Sequence, residues 1–513
     1  MRRTALAVLA VFVSAATLSV AQAAPATASI TRSNVSVSPN SLCGQVRLFV
    51  SLSGTSDQIT PRLPIRVYAS APDRGLARTL VRTYTSYTTA LDTTQTLFTA
   101  APGGTGPGVQ LDVEWTGGTD SFTTESYFDQ CPGTLFSIAP ARMLDTRTGQ
   151  GTTGPGRVPV ATTLAVDPRP VAGVPGDGVT AIVMNLTVTE PAAPGFVTAW
   201  PCGSTRPTAS NLNFAAGQTI ANLVVVDVTG RSATGSVCLY SSAATNLIAD
   251  VTGYFVDDQE PRPIGGGIVS LDSPQRTLDT RTGNAPSSAR TVRRLQIGGR
   301  FDIPTSGVTA VALNVTAVNA LVPGYLTVFP CGTTPPNASN VNYPVGVATP
   351  NAAIVGLSSS GELCIFTETD VDVLIDVTGY FSVAVHANYQ PSSPLRLVDT
   401  RSPNPFDARP TAHQKLEPTT VIPQKILFAS AIAIVNVTAT NVETDGWLAI
   451  FPCDRPVPST STLNFVAGQT VANTTLVRTN GSAEICVYST GRVDLVVDLQ
   501  GTTSGWPRQP AIS

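Results

Sequence analysis

Short apolar runs, separated by glycine, proline and polar residues, dominate the 513-residue chain. The runs are about five to eight residues long and rich in Val, Ile, Thr and Phe, which is the length and composition of β-strands. No stretch keeps a helical period of apolar residues over three turns. The pattern therefore predicts an all-β protein.

One unit of sequence is written three times. LDTRTG at 144–149 recurs letter for letter at 278–283 and, altered, as VDTRSP at 398–403. After each copy comes an apolar run with Asn-Leu-Thr or Asn-Val-Thr, then a Pro-Cys pair and a second cysteine. The asparagine stands 17 residues before the first cysteine every time, as positions 185 and 202 illustrate. Such constant spacing indicates three tandem copies of one unit.

Each copy spans about 120 residues, whereas solenoid repeats are only about 20–45 residues long. We therefore expect three separate tandem domains, each with its own core. About seven or eight strands per copy predict a disulfide-bonded two-sheet sandwich or jelly roll, with a small barrel or trefoil as alternatives. The predicted modules are 133–258, 259–385 and 386–513.

Residues 24–132 match none of the repeated blocks. They alternate apolar and polar residues, as in QVRLFVSLSG at 45–54, and predict a separate sandwich of the immunoglobulin or fibronectin type.

The first residues resemble a secretion signal. Arg2 and Arg3 precede an apolar run at 5–20, and Ala21-Gln22-Ala23 fits the small-x-small cleavage rule. We predict a signal peptide at 1–23, with a retained anchor as the alternative. No later segment has the roughly 18 uninterrupted apolar residues of a membrane span, so we expect a secreted protein without a membrane span after cleavage.

The cysteine count fits export as well. Eight cysteines, an even number, favour four disulfides in an exported chain. The repeat spacing predicts three of these bonds, and the N-terminal domain would hold the fourth. The predicted pairs are Cys43–Cys131, Cys202–Cys238, Cys331–Cys364 and Cys453–Cys486.

Charge argues against a nucleic-acid partner. The formal net charge is -3 and only 13% of the residues are charged. The only basic runs are the pairs at 2–3 and 293–294, whereas nucleic-acid binding needs clustered Lys and Arg.

The motifs LDTR, LNVT, GYLTV-PCG, NLNF-AGQT-AN, VCVYS and DVTGYF together resemble a tandem module of secreted proteins from high-GC Gram-positive bacteria. The resemblance covers residues 136–501, about 70% of the chain. It implies an exported accessory or surface module, and it brings no established ligand. Copy three departs from the pattern at Gln500-Gly501-Thr502, which suggests a modified terminal unit.

Candidate catalytic residues are few. The two histidines, His386 and His413, do not recur between copies and have no Gly-x-Ser-x-Gly elbow beside them. No His or Cys cluster has zinc spacing, so no cofactor or metal is predicted. A carboxylate-pair glycosidase stays open because sequence does not reveal distances. Three copies in tandem are ordinary for binding modules, and we predict that the protein is not an enzyme.

The repeated aspartates have two interpretations. An aspartate on the closing strand, Asp250 in copy one, stands near the Asp-Thr-Arg motif, and two such carboxylates could hold Ca²⁺. A buried strand aspartate more often needs a cationic partner, so we favour a bidentate ion pair with the motif arginine. The predicted pairs are Arg147–Asp250, Arg281–Asp376 and Arg401–Asp498.

The asparagine of Asn-x-Thr also fits a glycosylation sequon. Its fixed place in an apolar strand favours a structural amide instead. This interpretation concerns Asn185, Asn314 and Asn436.

A recurring aromatic pair is the best candidate ligand site. Two rings four residues apart share one face of a strand, with Thr198, Thr327 or Ala449 between them. They would suit the apolar face of a sugar. The alternative is that the rings fill a core or a junction between units. The pairs are Phe196 with Trp200, Tyr325 with Phe329, and Trp447 with Phe451.

These observations predict a non-enzymatic binding or adhesion protein at the cell surface or wall, with weak sites multiplied by repetition. Cell-wall or extracellular glycan is the expected partner. A structural spacer or matrix protein without a specific ligand is the alternative, and an extracellular hydrolase is disfavoured.

Overall fold

A computed structural model describes side chains over residues 133–503, apart from 177, 229–234, 257–264, 283–285, 386, 403–413 and 427–430. Before residue 133, it describes the backbone of seven strands. The predicted signal peptide at 1–23, both histidines, and Cys43 and Cys131 lie outside the described residues.

The chain divides into two compact units, Met1–Cys131 and Pro132–Ser513. The N-terminal unit has an antiparallel three-stranded sheet, β1-β2-β5, and an antiparallel four-stranded sheet, β4-β3-β6-β7. Seven strands in two sheets fit the predicted sandwich. The strands are β1 (Ile30–Pro39), β2 (Gln45–Gly54), β3 (Ile65–Ala71), β4 (Leu76–Tyr84), β5 (Ala90–Thr96), β6 (Gln110–Trp115) and β7 (Gly118–Thr123).

The C-terminal unit contains the three repeats, here modules 1, 2 and 3, each of eight described strands. Module 1 has β8 (Gly133–Asp145), β9 (Thr162–Val166), β10 (Val179–Thr189), β11 (Gly195–Pro201), β12 (Leu212–Phe214), β13 (Ile220–Asp227), β14 (Val237–Ser241) and β15 (Asn246–Asp257). Module 2 has β16 (Gly267–Asp279), β17 (Thr291–Gln296), β18 (Val308–Val318), β19 (Gly324–Pro330), β20 (Val341–Tyr343), β21 (Thr349–Gly356), β22 (Glu362–Thr367) and β23 (Asp372–Ser382). Module 3 has β24 (Tyr389–Asp399), β25 (Thr420–Lys425), β26 (Ser430–Thr440), β27 (Gly446–Pro452), β28 (Leu463–Phe465), β29 (Val471–Arg478), β30 (Glu484–Ser489) and β31 (Asp494–Ser504).

Each module is a two-sheet jelly roll. In module 1 the large sheet has the order β8-β15-β10-β13 and the small sheet the order β9-β14-β11-β12. All described pairings are antiparallel, and modules 2 and 3 repeat the same order. The order is that of a jelly roll. The predicted all-β sandwich or jelly roll is confirmed, and the barrel and trefoil alternatives are wrong.

The disulfides of the three modules are confirmed. Each bond joins the cysteine that follows the fourth strand of a module to a cysteine in the neighbouring seventh strand. In module 1, Cys202 follows β11 and Cys238 lies near the start of β14. A cross-link that closes a loop of this length stabilises a domain by about 3–4 kcal/mol in the chain-entropy model. The bonds are Cys202–Cys238, Cys331–Cys364 and Cys453–Cys486.

The expectation of three separate domains is wrong, because the large sheets of all three modules pack on one another. One strand from each module, β13, β21 and β29, contacts the corresponding strands of the other two. The outer faces of these sheets form a shared cluster of buried side chains, which we call the axial core. Its members are Leu135, Ala181, Val183, Leu223, Val225, Phe255, Ile268, Ala310, Ala312, Ala352, Ile354, Phe381, Tyr389, Ala431, Ile432, Ile434 and Leu476.

The starts of the three first strands also join. Leu135 and Gly266 exchange two backbone hydrogen bonds of 2.9 Å, and Ile268 donates to the carbonyl of Ala387 over 3.0 Å. Tyr389 pairs with Gly133, which closes the circle from module 3 back to module 1. The modules therefore form a closed ring around the axial core.

Module 3 contributes its aromatic ring to the axial core from the first strand, whereas module 1 contributes it from the closing strand. In module 1, Leu135 on the first strand pairs with Phe255 on the closing strand. In module 3, Tyr389 on the first strand pairs with Thr503 on the closing strand. The aromatic ring thus comes from the opposite strand, and Tyr389 and Phe255 lie 4.5 Å apart between ring centroids. The departure of copy three from Gly-Tyr-Phe has this packing reason.

No helix in the described part of the chain is long and apolar enough to cross a membrane.

Candidate functional site

The Asp-Thr-Arg turn holds its carboxylate between two arginines. In module 1, Arg147 donates from Nε to Asp145 Oδ1 over 2.9 Å and from Nη2 to Oδ2 over 2.7 Å. Arg142 on β8 donates from Nη1 to Asp145 Oδ2 over 2.8 Å and from Nε to Asp250 Oδ1 over 2.6 Å. Arg142 therefore ties the turn to the closing strand β15.

The predicted partners of the closing aspartates are consequently wrong. Asp250, Asp376 and Asp498 were expected to bind Arg147, Arg281 and Arg401. Each motif arginine follows its aspartate by two residues at a strand end, so it folds back on that aspartate instead. The closing aspartates bind the arginine three positions before the motif aspartate. The observed pairs are Arg142–Asp250, Arg276–Asp376 and Arg396–Asp498, with Arg147–Asp145, Arg281–Asp279 and Arg401–Asp399 at the turns.

Two opposite pKa shifts result in each module. The hydrogen bond from Arg147 lowers the pKa of Asp145, and that from Arg281 lowers the pKa of Asp279 to about 2. Burial raises the pKa of Asp250 and outweighs the pull of Arg142, because the Asp250 side chain is only 1% exposed. The buried aspartate depends on its arginine to remain charged.

Arg142 occupies the position between the two carboxylates at which the calcium interpretation would place the metal ion. The Arg142 guanidinium lies between the carboxylates of Asp145 and Asp250. Among the residues with described side chains, no group of three or more His, Cys, Asp or Glu is arranged to hold a metal ion. The geometry supports an ion pair at this position.

The recurrent asparagines lie at the junctions between modules. Asn185 on β10 is buried and donates from Nδ2 to the carbonyl of Ser339 in module 2 over 2.5 Å. Its Oδ1 accepts a 2.8 Å hydrogen bond from Nδ2 of Asn351 on β21. An amide with both ends occupied in the interior cannot carry a glycan, so the sequon interpretation is wrong and the predicted structural role is confirmed.

A second asparagine per module completes each junction. Asn351 Oδ1 accepts from the backbone N–H of Leu223 over 3.1 Å, and Asn351 Nδ2 also donates to the carbonyl of Asn340 over 2.6 Å. The equivalent residues are Asn222 on β13 and Asn473 on β29, both 0% exposed. Every polar atom of these side chains that the junction encloses is paired, as buried amides require.

The bonds that the first asparagine donates run in one direction around the ring, because module 1 donates to module 2, module 2 to module 3, and module 3 to module 1. The second asparagine donates in the opposite direction, as from Asn351 of module 2 to Asn185 of module 1. Arg142 and Arg396 add a guanidinium bond to the same loop of the next module, at Asn337 O over 2.8 Å and at Thr208 O over 3.2 Å. The asparagine bonds are Asn185 to Ser339, Asn314 to Ser461 and Asn436 to Ser210.

In each predicted aromatic pair, only the first ring is partly exposed to solvent. The second ring of each pair, Trp200, Phe329 or Phe451, is buried beside the disulfide under the loop that follows the first cysteine. In module 1 this loop binds the strand through Trp200 Nε1 to Ser204 O over 3.1 Å and through Thr198 Oγ1 to Ala209 O over 2.8 Å. An open platform of the two predicted rings is therefore wrong.

The first ring of each pair has a different aromatic partner, on the neighbouring strand. Phe196 lies half-buried on the outer face of the small sheet, 5.9 Å from Tyr240 of β14 between ring centroids. The guanidinium of the exposed Arg206 lies 3.6 Å above the Tyr240 ring. Modules 2 and 3 have the same cross-strand pair of rings. The pairs there are Tyr325 with Phe366 at 6.0 Å and Trp447 with Tyr488 at 5.2 Å.

Sequence reasoning missed three sets of recurrent residues. The first is the arginine three positions before the motif aspartate. The other two are the asparagine of Ala-Asn or Pro-Asn and the aromatic residue two positions after the second cysteine. Each recurs at a fixed position in all three copies, so comparison of the copies contained the signal. The sets are Arg142, Arg276 and Arg396; Asn222, Asn351 and Asn473; and Tyr240, Phe366 and Tyr488.

No protein-family model and no curated protein sequence matches the chain. Solved structures are similar only at a distance. An archaeal virus protein with a triple jelly roll fold, from work on turret assembly, is 11% identical with a TM-score of 0.15, over 72% of this chain and 91% of its own. A protein of Sulfolobus turreted icosahedral virus has the same identity, coverage and TM-score. An α-L-rhamnosidase of Streptomyces avermitilis, complexed with L-rhamnose, is 11% identical over 90% of this chain and 56% of its own, with a TM-score of 0.16.

Proposed function

We propose that the Pro132–Ser513 unit is a non-enzymatic extracellular binding module that presents three equivalent aromatic sites to carbohydrate. The observation that carries the proposal is the half-buried cross-strand pair of rings on the outer face of each small sheet. These rings do not belong to the inner cores of the jelly rolls, in which the next residue along the strand, such as Val197, takes part. The rings of modules 2 and 3 pack in part against small clusters beside the disulfides, as Trp447 does against Phe451 and Cys486. Their partly exposed surface is available to the apolar face of a sugar.

The neighbouring polar groups differ between modules. Arg206 covers part of Tyr240 in module 1, while Arg290 pairs with Glu368 over 2.8 Å beside Tyr325 in module 2. A few polar groups at the rim of an apolar surface give a ligand its orientation. The three sites would accordingly share a ligand class and differ in preference within it.

The closed ring of three modules makes these weak sites multivalent. Modules that share one core hold their sites at fixed distances, so a polymer with repeated sugars can engage several sites at once. The disulfides in all three modules fit an extracellular protein. Secretion through the segment at 1–23 is part of this proposal.

Glycan-array binding tests the proposal with the triple variant Phe196→Ala, Tyr325→Ala and Trp447→Ala. We expect binding to fall at least tenfold per site lost from a multivalent ligand, while the variant still unfolds in a cooperative thermal transition. The matched control is Leu321→Ala, which removes an exposed apolar side chain of module 2 and leaves the rings intact. Full binding by a folded triple variant contradicts the proposal.

If the triple variant does not fold, the partner rings serve instead. Tyr240→Leu, Phe366→Leu and Tyr488→Leu keep an apolar side chain in each pair and remove its flat face. Binding that persists in this folded variant contradicts an aromatic site.

A structural spacer without a specific ligand is the second candidate. One observation favours it: recurrent motif residues such as Asn185 and Asn222 form hydrogen bonds between modules, which is a structural role. A folded wild-type unit that binds no glycan, peptide or wall polymer on an array would favour the spacer.

A further inference from the structure

The junction between modules 3 and 1 has no covalent link, although the other two junctions have one. Residues 258–264 connect modules 1 and 2, and a short segment between Ser382 and Tyr389 connects modules 2 and 3. Module 3 ends with β31, far along the chain from the start of module 1. The ring closes here through side-chain and backbone contacts alone.

The asparagine bonds at this junction match those at the linked junctions. Asn436 Nδ2 donates to Ser210 O over 2.8 Å, compared with 2.7 Å for Asn314 to Ser461. Asn222 donates to Asn436 Oδ1 over 2.8 Å and accepts from the Thr474 N–H over 3.1 Å. The asparagine contacts between modules 3 and 1 therefore form although no linker joins these two modules.

We propose that each module carries a head-to-tail docking surface whose partner is another copy of the same module, and that module 1 of a second copy of this chain can replace the chain's own module 1 beside modules 2 and 3. The surface is heterologous: one side carries donors such as Asn436 and Arg396, and the other carries the carbonyls of the Ser210-type loop together with the donor Asn222. The rotation closes after three modules, so the assembly ends at a ring instead of growing into a filament.

Within one chain the linker keeps module 1 at a high effective concentration, which favours the closed ring over exchange between chains. Cutting the linker removes that advantage and leaves the surface itself to hold module 1. Exchange of module 1 between copies then becomes measurable.

The experiment uses the full chain with a protease site inserted between Asp257 and Gly265. Long insertions in a linker cost little stability, and an unchanged melting temperature of the uncut protein checks the insertion. After cleavage, the fragment with module 1 and the fragment with modules 2 and 3 are expected to stay together in size-exclusion chromatography. When natural-abundance and ¹⁵N-labelled cleaved proteins are mixed, native mass spectrometry should find crossed pairs of one light and one heavy fragment.

Asn222→Ala in the cleaved protein tests the surface itself. It removes bonds to Asn436, Asn211 and Thr474, and we expect at least a tenfold weaker association of the fragments. The matched control is Asn246→Ala. Asn246 is also buried, and its side chain bonds only within module 1, to Glu190 and Thr146.

Two outcomes overturn the proposal: fragments that separate on cleavage at micromolar concentration, and cleaved proteins that stay together for days without forming crossed pairs. A second site inserted at another position within residues 258–264 must give the same result as the first. It also keeps the test valid if the first insertion disturbs folding.

Discussion

Asn222 donates a hydrogen bond to Asn436 Oδ1 over 2.8 Å, although 214 residues separate the two asparagines along the chain. Both side chains are buried, and both belong to motifs that recur in every module. Their contact shows why the motif is repeated: each copy provides one half of the surface that the next copy needs.

Substitution of the second asparagine should loosen the ring. Asn351→Ala removes bonds to Asn185, Asn340 and Leu223 and leaves buried groups unpaired, which costs about 1–3 kcal/mol for each group. We expect a loss of several kcal/mol in the free energy of unfolding, measured by urea denaturation. Asn337→Ala is the control, because this exposed residue contributes only its backbone carbonyl to the junction; its effect should stay within about 0.5 kcal/mol. Equal effects of the two substitutions would contradict the junction.

The two arginines of module 1 should differ in importance. Arg142→Ala leaves the buried Asp250 without its cation, and breaking a buried pair from one side costs about 3–5 kcal/mol. Arg147 is 44% exposed and binds only the turn, so Arg147→Ala should cost clearly less. Thermal unfolding of the two variants compares them directly. A larger loss from Arg147→Ala would restore the pairing that the sequence suggested.

Acid should remove the contribution of the turn aspartates. The pKa of Asp279 falls from 3.8 to about 2 in the folded protein because Arg281 binds the charged form. A carboxylate whose pKa is lower in the folded state stabilises the fold above pH 3.8, and that contribution is lost as the pH falls towards 2. Urea unfolding of the wild type and of Asp279→Asn should therefore show a stability difference that is constant above about pH 5 and shrinks between pH 4 and 2. A difference that grows on acidification would contradict this ion pair.

The exchange of aromatic positions in module 3 predicts a coupled pair of substitutions. Tyr389→Leu opens a cavity in the axial core, and large-to-small changes of this kind cost about 2–5 kcal/mol. Thr503→Phe alone adds a ring to a filled space, which costs about 1–3 kcal/mol. Together they recreate the Leu135–Phe255 arrangement of module 1, so the double variant should be more stable than the sum of the single effects implies, by at least about 1 kcal/mol. Additive effects in chemical denaturation would show that Tyr389 and Thr503 do not share one space.

The fold of one module was largely predictable from the sequence, and the ring was not. Strand composition and the recurrence of a cysteine pair such as Cys202 and Cys238 in each copy led to a disulfide-bonded two-sheet domain, because these features act within one module. The apolar run of β10 shows what was missed. Ile182 and Met184 face the inner core of module 1, whereas Ala181 and Val183 face the axial core. A strand buried on both faces must meet a second body, but the sequence does not show which one.

The candidate site was predicted in part for a similar reason. The spacing of Phe196 and Trp200 correctly places both rings on one face of a strand, but the loop that buries Trp200 depends on the chain after Cys202. The arginine of the motif was chosen because it recurs, yet Arg142 recurs as well. Only the direction of the chain after the turn decides which arginine reaches Asp250.

The closed ring itself is tested most directly by three distances. Ala216, Val345 and Ala467 are exposed and occupy equivalent turns of modules 1, 2 and 3. Each pair of these positions can be substituted with cysteine, spin-labelled and measured by double electron–electron resonance. A closed ring predicts three similar distances. Three modules in an open string would contradict it, because the distance between positions 216 and 467 would then clearly exceed the other two.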